Sequence, residues 1–281
     1  MAELKKRKLT RNPTVDTASL KLAVTRSLKT KADATSFQDG TLLPKLASEH
    51  LEIVRGLLGA IGPGQSHGNV PRRVTWGSMC SGSEGAHYVM NAFETAYNSK
   101  FPDRPIELVQ LFACEVEPGK RKWIHHVVNK ERVEEGKDKI CIFCDIKDMG
   151  NPCARCEVHD GLCPVSDVMI LVVSTSCKDL SPLSNNKFSA PVLSLETSPG
   201  GSADTFRLGL LAFLDSHAAS IVLYENSDQM ADDGAQDKAT NTDVFQAELA
   251  SRNFEGMCFI LNAKLFGCPQ NRRRWVIDSN R

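Results

Sequence analysis

Apolar residues in this chain fall into two kinds of stretch, short continuous runs and longer segments with helical spacing, and the two kinds alternate. The run Val168-Met169-Ile170-Leu171-Val172-Val173 is of strand length, rich in Val and Ile, and without polar alternation. Such a run reads as a strand covered on both faces, as in the middle of a parallel sheet. It breaks at Ser174-Thr175-Ser176 and delivers Cys177 just past its carboxyl end, where open α/β sheets bind ligands. Similar runs predict strands over 74–79, 108–114, 140–144, 221–224, 257–261 and 274–277. Helical spacing predicts helices over 86–97, 118–130, 205–217 (Phe206, Leu210, Leu211, Phe213, Leu214) and 244–252. A further amphipathic helix is expected over 42–61, stopped by Gly62-Pro63-Gly64 and covering one face of the sheet. The alternation predicts an α/β fold, a mostly parallel sheet with helices on both faces. Neither an internal repeat nor a second globular domain is legible.

Composition supports one sizeable core: 281 residues, 41% hydrophobic and 24% charged. No run approaches the roughly 18 apolar residues of a membrane span, and the first residues carry no apolar secretory signal, so no membrane partner is expected. Charge changes the picture more. The formal net charge is zero, yet residues 1–32 hold nine Lys and Arg against only Glu3 and Asp16. A basic, Ser/Thr-rich arm over 1–40, expected to be disordered, therefore precedes a mildly acidic domain over 41–281. Lys5-Lys6-Arg7-Lys8 reads as a nuclear import signal or a nucleic-acid contact, which predicts the nucleus. A plain solvated tail and an organelle transit peptide are the alternatives.

Candidate chemistry gathers at the predicted strand ends. After the strand over 74–79 comes Cys80-Ser81-Gly82-Ser83-Glu84-Gly85, a small-residue turn into a helix, which lets a ligand approach backbone amides. The next strand ends at Glu115, where nucleotide-binding folds place the acid that holds a ribose, and the third leads to Asp145. Ten cysteines, several as Cys-x-x-Cys, point to reduced thiols and metal rather than a disulfide framework. Five of them and one histidine crowd a Cys-rich insert over 141–163, with the ligand types and spacing of a structural zinc site. Cys153, Cys156 and Cys163 are the expected ligands, with His159 or Cys144 as the fourth; a Cys-rich loop without metal is the alternative.

Taken in order, these motifs resemble the C5-cytosine-specific DNA methyltransferase family over about residues 74–277. Ser81-Gly82-Ser83-Glu84-Gly85 resembles its Gly-rich cofactor motif, with Cys80 in place of an aromatic residue and Glu84 in place of a glycine. Glu115 and Asp145 match the acids that hold the ribose and lie near the adenine of S-adenosylmethionine. Thr175-Ser176-Cys177 stands where the family has Pro-Pro-Cys, Glu225-Asn226-Ser227 resembles Glu-Asn-Val, and Pro269 to Arg274 resembles Gln-x-Arg-x-Arg. The resemblance implies a Rossmann-like, S-adenosylmethionine-dependent methyltransferase fold. It also implies DNA, or alternatively RNA, as substrate.

Under that resemblance Cys177 is the nucleophile that adds to cytosine C6, and Glu225 hydrogen-bonds the ring nitrogen and amine of the base. Arg272 and Arg274 would hold the base carbonyl or its phosphate. Thr-Ser in place of Pro-Pro predicts a looser presentation of the thiol. The sequence stops four residues past Ile277, so the fold is expected to be C-terminally truncated, without the family's target-recognition region and final helix. That predicts either an enzyme that borrows recognition from a partner protein, or a catalytically weak module that binds nucleic acid or a partner methyltransferase.

Overall fold

A computed structural model of the chain describes residues 70–175, 195, 201–231, 240–262 and 273–280. The basic arm, the helix expected over 42–61, Cys177 and Arg272 lie outside the described residues. The strands are β1 (Arg72–Met79), β2 (Ile106–Cys114), β3 (Cys141–Phe143), β4 (Cys153–Cys156), β5 (Gly161–Pro164), β6 (Val168–Val173), β7 (Ala219–Ser227), β8 (Glu255–Asn262) and β9 (Arg273–Asn280). They form one sheet in the order β5-β4-β3-β2-β1-β6-β7-β9-β8.

The five inner strands β3, β2, β1, β6 and β7 pair in parallel, as continuous apolar runs require. Both flanks are antiparallel: β4 and β5 on one side, β9 and β8 on the other. The sheet is therefore more mixed than the apolar runs alone predict. Chain order proceeds outward from β1 in one direction through β2 and β3, and in the other from β6 to β7. β1 and β6 thus flank the reversal point of a Rossmann-like, doubly wound sheet, which opens a crevice there at its carboxyl edge.

Among the described residues, four helical segments cover the sheet. α1 (Gly85–Lys100) follows β1. α2 starts as Pro118–Ile124, passes through a wider π turn over His125–Asn129, and ends as Lys130–Glu134. α3 runs Ser202–Asp204, widens over Thr205–Leu211 and closes as Ala212–Ser216. α4 (Asn241–Ala250) begins with a capping box between Thr240 and Asp243.

Alternation along β2 assigns the faces. Phe112 and Cys114 enter the larger core with Phe206, Leu210 and Phe213 of α3 and Phe245 of α4, whereas Ala113 joins Ile124 and Val128 of α2. Helices therefore cover both faces. Gly77 on β1 is required by packing: a Cβ there would sit 2.4 Å from the Phe112 ring. That ring stacks edge-on to Phe143, tying β1, β2 and β3 together beneath the site.

Candidate active site

The turn after β1 is built on three left-handed residues, Cys80 (φ 54°), Gly82 (φ 59°) and Glu84 (φ 60°). Glycine adopts this conformation freely, but Cys80 and Glu84 do so at a cost of order 1 kcal/mol each. Tertiary hydrogen bonds hold them there. Ser81 N donates to Cys114 O at 3.0 Å, and Ser81 Oγ bridges the same residue's backbone groups at 3.2 Å. Gly82 N donates to Glu115 Oε2 at 2.8 Å, and Glu117 N donates to Glu115 Oε1 at 3.0 Å. The Gly82 turn and the Glu115 carboxylate at the end of β2 are therefore one unit. Cβ atoms built at Gly82 and Gly85 would meet nothing within 4 Å, so both glycines border open space. Asp145 caps the short helical turn Ile146–Asp148 after β3, its Oδ1 accepting from Lys147 N at 2.9 Å.

A clamp not legible in the sequence supports this rim. Arg121 of α2 donates to Glu115 O at 3.1 Å and Val116 O at 2.6 Å, and its Nε is bonded to the Glu157 carboxylate. The basic residue in a helix first turn is an ordinary surface pattern, and nothing in its spacing points to a backbone-gripping role.

Glu84 is buried beneath the turn, accepting from Ser78 Oγ at 2.9 Å and Gln110 Nε2 at 3.1 Å. Burial pushes its carboxyl up to about 7, against the pull of the Ser78, Ser81 and Gln110 hydrogen bonds. The folded chain holds this proton more tightly than the unfolded chain, whose glutamate titrates near 4.5. The stabilisation is thus complete below the unfolded value and lost as pH rises through about 7, amounting to about 3 kcal/mol. Urea unfolding at pH 5 and pH 8 should show it: Glu84→Gln should lose about 3 kcal/mol less than wild type over that interval. Parallel pH profiles for the two proteins would contradict this role.

The second half of the site lies where β6 and β7 end side by side. Glu225 on β7 accepts from Ser174 Oγ at 2.5 Å with one carboxylate oxygen. Its other oxygen lies 2.6 Å from Arg274 Nε on β9, so the carboxylate is held from two strands. Beneath it, Asn226 Nδ2 donates to Tyr224 OH at 3.0 Å and to Thr175 Oγ1 at 3.1 Å, and Tyr224 OH lies 2.5 Å from Thr175 Oγ1. Thr175 is buried and pinned by this network, so the residue at the first Pro-Pro position is not loose. Ser174 and Tyr224 escaped the sequence reading. A tyrosine inside an otherwise apolar run was the available signal, since a buried phenol needs a partner.

The described thiols outside the Cys-rich insert are poor nucleophiles. Burial, reinforced by Glu115 and Asp145, pushes Cys80 up to about 12, and burial pushes Cys258 up to about 11. Buried Cys114 is likewise pushed up.

In the Cys-rich insert, β4 and β5 form a hairpin that the sequence does not predict. Of the expected ligands, Cys156, His159 and Cys163 converge, and Cys141 joins them in place of Cys144 or Cys153. The reason is the two-residue period of a strand. Ala154 pairs with Cys163 and Cys156 with Gly161, which puts Cys156 and Cys163 on one face and exposed Cys153 on the other. Cys144 lies past the end of β3, where its N donates to Arg155 O at 3.1 Å.

Residues 203–281 match the family model of the C-5 cytosine-specific DNA methylases. Over 155 residues, 55% of its length, the chain is 28% identical to a DNA (cytosine-5-)-methyltransferase, DMT5, of Cryptococcus neoformans var. grubii, and spans 6% of that protein. Among solved structures, it is similar to a Dnmt2 methyltransferase of S. pombe (16% identity, TM-score 0.42), with 74% of this chain and 49% of that one covered. It is also similar to a DNMT2 variant of Spodoptera frugiperda (16%, 0.45), covering 74% and 50% of the two chains. A methyltransferase of Entamoeba histolytica, EhMeth, is likewise similar (10%, 0.42), with 74% and 53% covered. Each relative is thus longer than the part this chain spans.

Proposed function

We propose that the chain, whose residues 203–281 match the family model of the C-5 cytosine-specific DNA methylases, is an S-adenosylmethionine-dependent cytosine-C5 methyltransferase acting on DNA. The observation that carries this reading is the Glu225 carboxylate, held between Ser174 and Arg274 three residues before Cys177 in the β6 loop.

The residues around the first turn fit the cofactor. Gly82 and Gly85 leave open space at the start of α1, and the adjacent ends of β2 and β3 present the carboxylates of Glu115 and Asp145. These two acids suit ribose hydroxyls and an adenine rim, with Ser81 and Gly82 supplying backbone approach. When bound, S-adenosylmethionine supplies the methyl group that cytosine C5 acquires.

The chain's own residues prepare the base. A target cytosine must leave its stack to reach a strand-end pocket. Cytosine C5 is a poor nucleophile until the Cys177 thiolate forms a bond to C6, which shifts the ring electrons toward C5. Glu225 accepts from the exocyclic amine with one carboxyl oxygen and passes a proton to the ring nitrogen with the other, neutralising the negative charge that the ring gains as sulfur adds. Arg274 holds that carboxylate, and Arg272 and Arg274 are the residues suited to the base carbonyl or its phosphate. Afterwards the C5 proton leaves to a base and the C6–sulfur bond breaks, restoring both the aromatic ring and the thiolate.

Covalent capture on oligonucleotides containing 5-fluorocytosine tests the reading, because fluorine at C5 blocks the last elimination. With S-adenosylmethionine present, a denaturation-resistant adduct on DNA is expected, mapping to Cys177 by peptide mass. An adduct on RNA alone would reassign the substrate, and no adduct on either would overturn the mechanism.

A further inference from the structure

We propose that Cys141, Cys156, His159 and Cys163 form a structural zinc site that staples the β4–β5 hairpin to the edge of the sheet. The ligands come from β3, the end of β4, the hairpin turn and β5, and their ligand atoms all lie within 4.8 Å of one another. His159 Nδ1 is 3.1 Å from Cys163 Sγ, 3.5 Å from Cys156 Sγ and 3.7 Å from Cys141 Sγ. A tetrahedral zinc bound at its usual Zn–S and Zn–N lengths sets nitrogen and sulfur ligands about 3.5 Å apart. The three observed distances straddle that edge.

Hydrogen bonding alone does not account for the convergence. A single Nδ1 has either one proton or one lone pair, so it can serve only one of the three thiols that crowd around it. Three sulfurs and one imidazole are the donor set of a closed structural zinc site and a poor match for magnesium or calcium. On binding, the three thiols release their protons to solvent and the neutral imidazole donates its lone pair.

The fold also shows what the metal would do. β4 joins β3 through a single residue pair, Phe143↔Cys156, and the hairpin beyond it exposes Leu162 while burying little more than Ala154 and Cys156. A two-stranded hairpin with so small a core is marginal in water unless cross-linked. This one carries Glu157, the residue that grips Arg121 under Glu115. A metal at its base fixes both.

Plasma mass spectrometry of the full chain, expressed with zinc and purified under reducing conditions, tests the site. About one zinc per chain is expected, largely lost in Cys163→Ser and His159→Ala but kept in Cys153→Ser and Cys144→Ser. Because ligand substitutions can prevent folding, a second measurement uses the unaltered chain, stripped by chelator and titrated with Co²⁺. Tetrahedral d–d bands with charge-transfer absorption for three thiolates are expected, together with a raised melting temperature. Metal-free protein that gives no such spectrum would overturn the site. So would a disulfide among these cysteines in freshly reduced protein, or loss of zinc in Cys153→Ser as complete as in Cys163→Ser.

Discussion

Cys177→Ala is expected to lose methyl transfer to cytosine by about four orders of magnitude or more while binding S-adenosylmethionine as tightly as wild type. The separation follows from topology. The Gly82 turn, Glu115 and Asp145 follow β1, β2 and β3, whereas Cys177 follows β6. Removing one sulfur there takes nothing from the cofactor half. Nor do the described thiols around the sheet offer a substitute. Cys80 is held up to about 12, chiefly by burial, and is therefore a protonated thiol at neutral pH. Calorimetry with the cofactor and incorporation of labelled methyl into DNA read the two quantities separately. Equal incorporation by wild type and Cys177→Ala would remove Cys177 from the reaction.

The second large effect belongs to Glu225. Glu225→Gln keeps the shape but removes the acid–base group that can pass a proton to the ring nitrogen as the thiolate adds to C6, and should lower kcat by about 10²–10³-fold with little change in cofactor affinity. In the proposed mechanism Arg274 acts on the base partly through this carboxylate, which it contacts at 2.6 Å. Arg274→Ala alone should therefore cost kcat substantially. Combined with Glu225→Gln, it should cost much less than the product of the two single effects, because both remove one shared interaction. Single-turnover rates on saturating DNA isolate the chemical step. Independent, multiplicative losses would show that Arg274 and Glu225 act separately.

The inner strands were legible because burial on both faces leaves a continuous apolar run, and β1, β2, β6 and β7 all carry one. Their polar ends were less so. β7 continues past Tyr224 through Glu225, Asn226 and Ser227, because β9 pairs with each of them as Trp275, Arg274 and neighbours come alongside. Apolar pattern alone ends that strand too early. The β4–β5 hairpin was hidden for a related reason: Cys-Ala-Arg-Cys is four residues long and has no hydrophobic rhythm. The spacing of cysteines along the chain therefore favoured Cys153, whereas the pleat turns it away. The π turns in α2 and α3 were equally invisible, since one extra residue per turn scarcely alters apolar spacing over a single turn. Thr175 shows the opposite case. Standing where the family has a proline, it suggested a looser backbone; in the fold, Tyr224 OH and Asn226 Nδ2 make three hydrogen-bond contacts with Thr175 itself.

β9 follows β8 in sequence yet lies between β7 and β8. During synthesis, β8 therefore leaves the ribosome with no strand to join, and β7 waits with one edge bare. Only when residues 273–280 emerge can both ladders close, and the same event brings Arg274 to Glu225. A nascent chain thus carries an unpaired strand edge, the kind of surface that chaperones cover and aggregates exploit, for as long as Glu225 lacks its arginine. Completion of the sheet and the meeting of Glu225 with Arg274 are a single step.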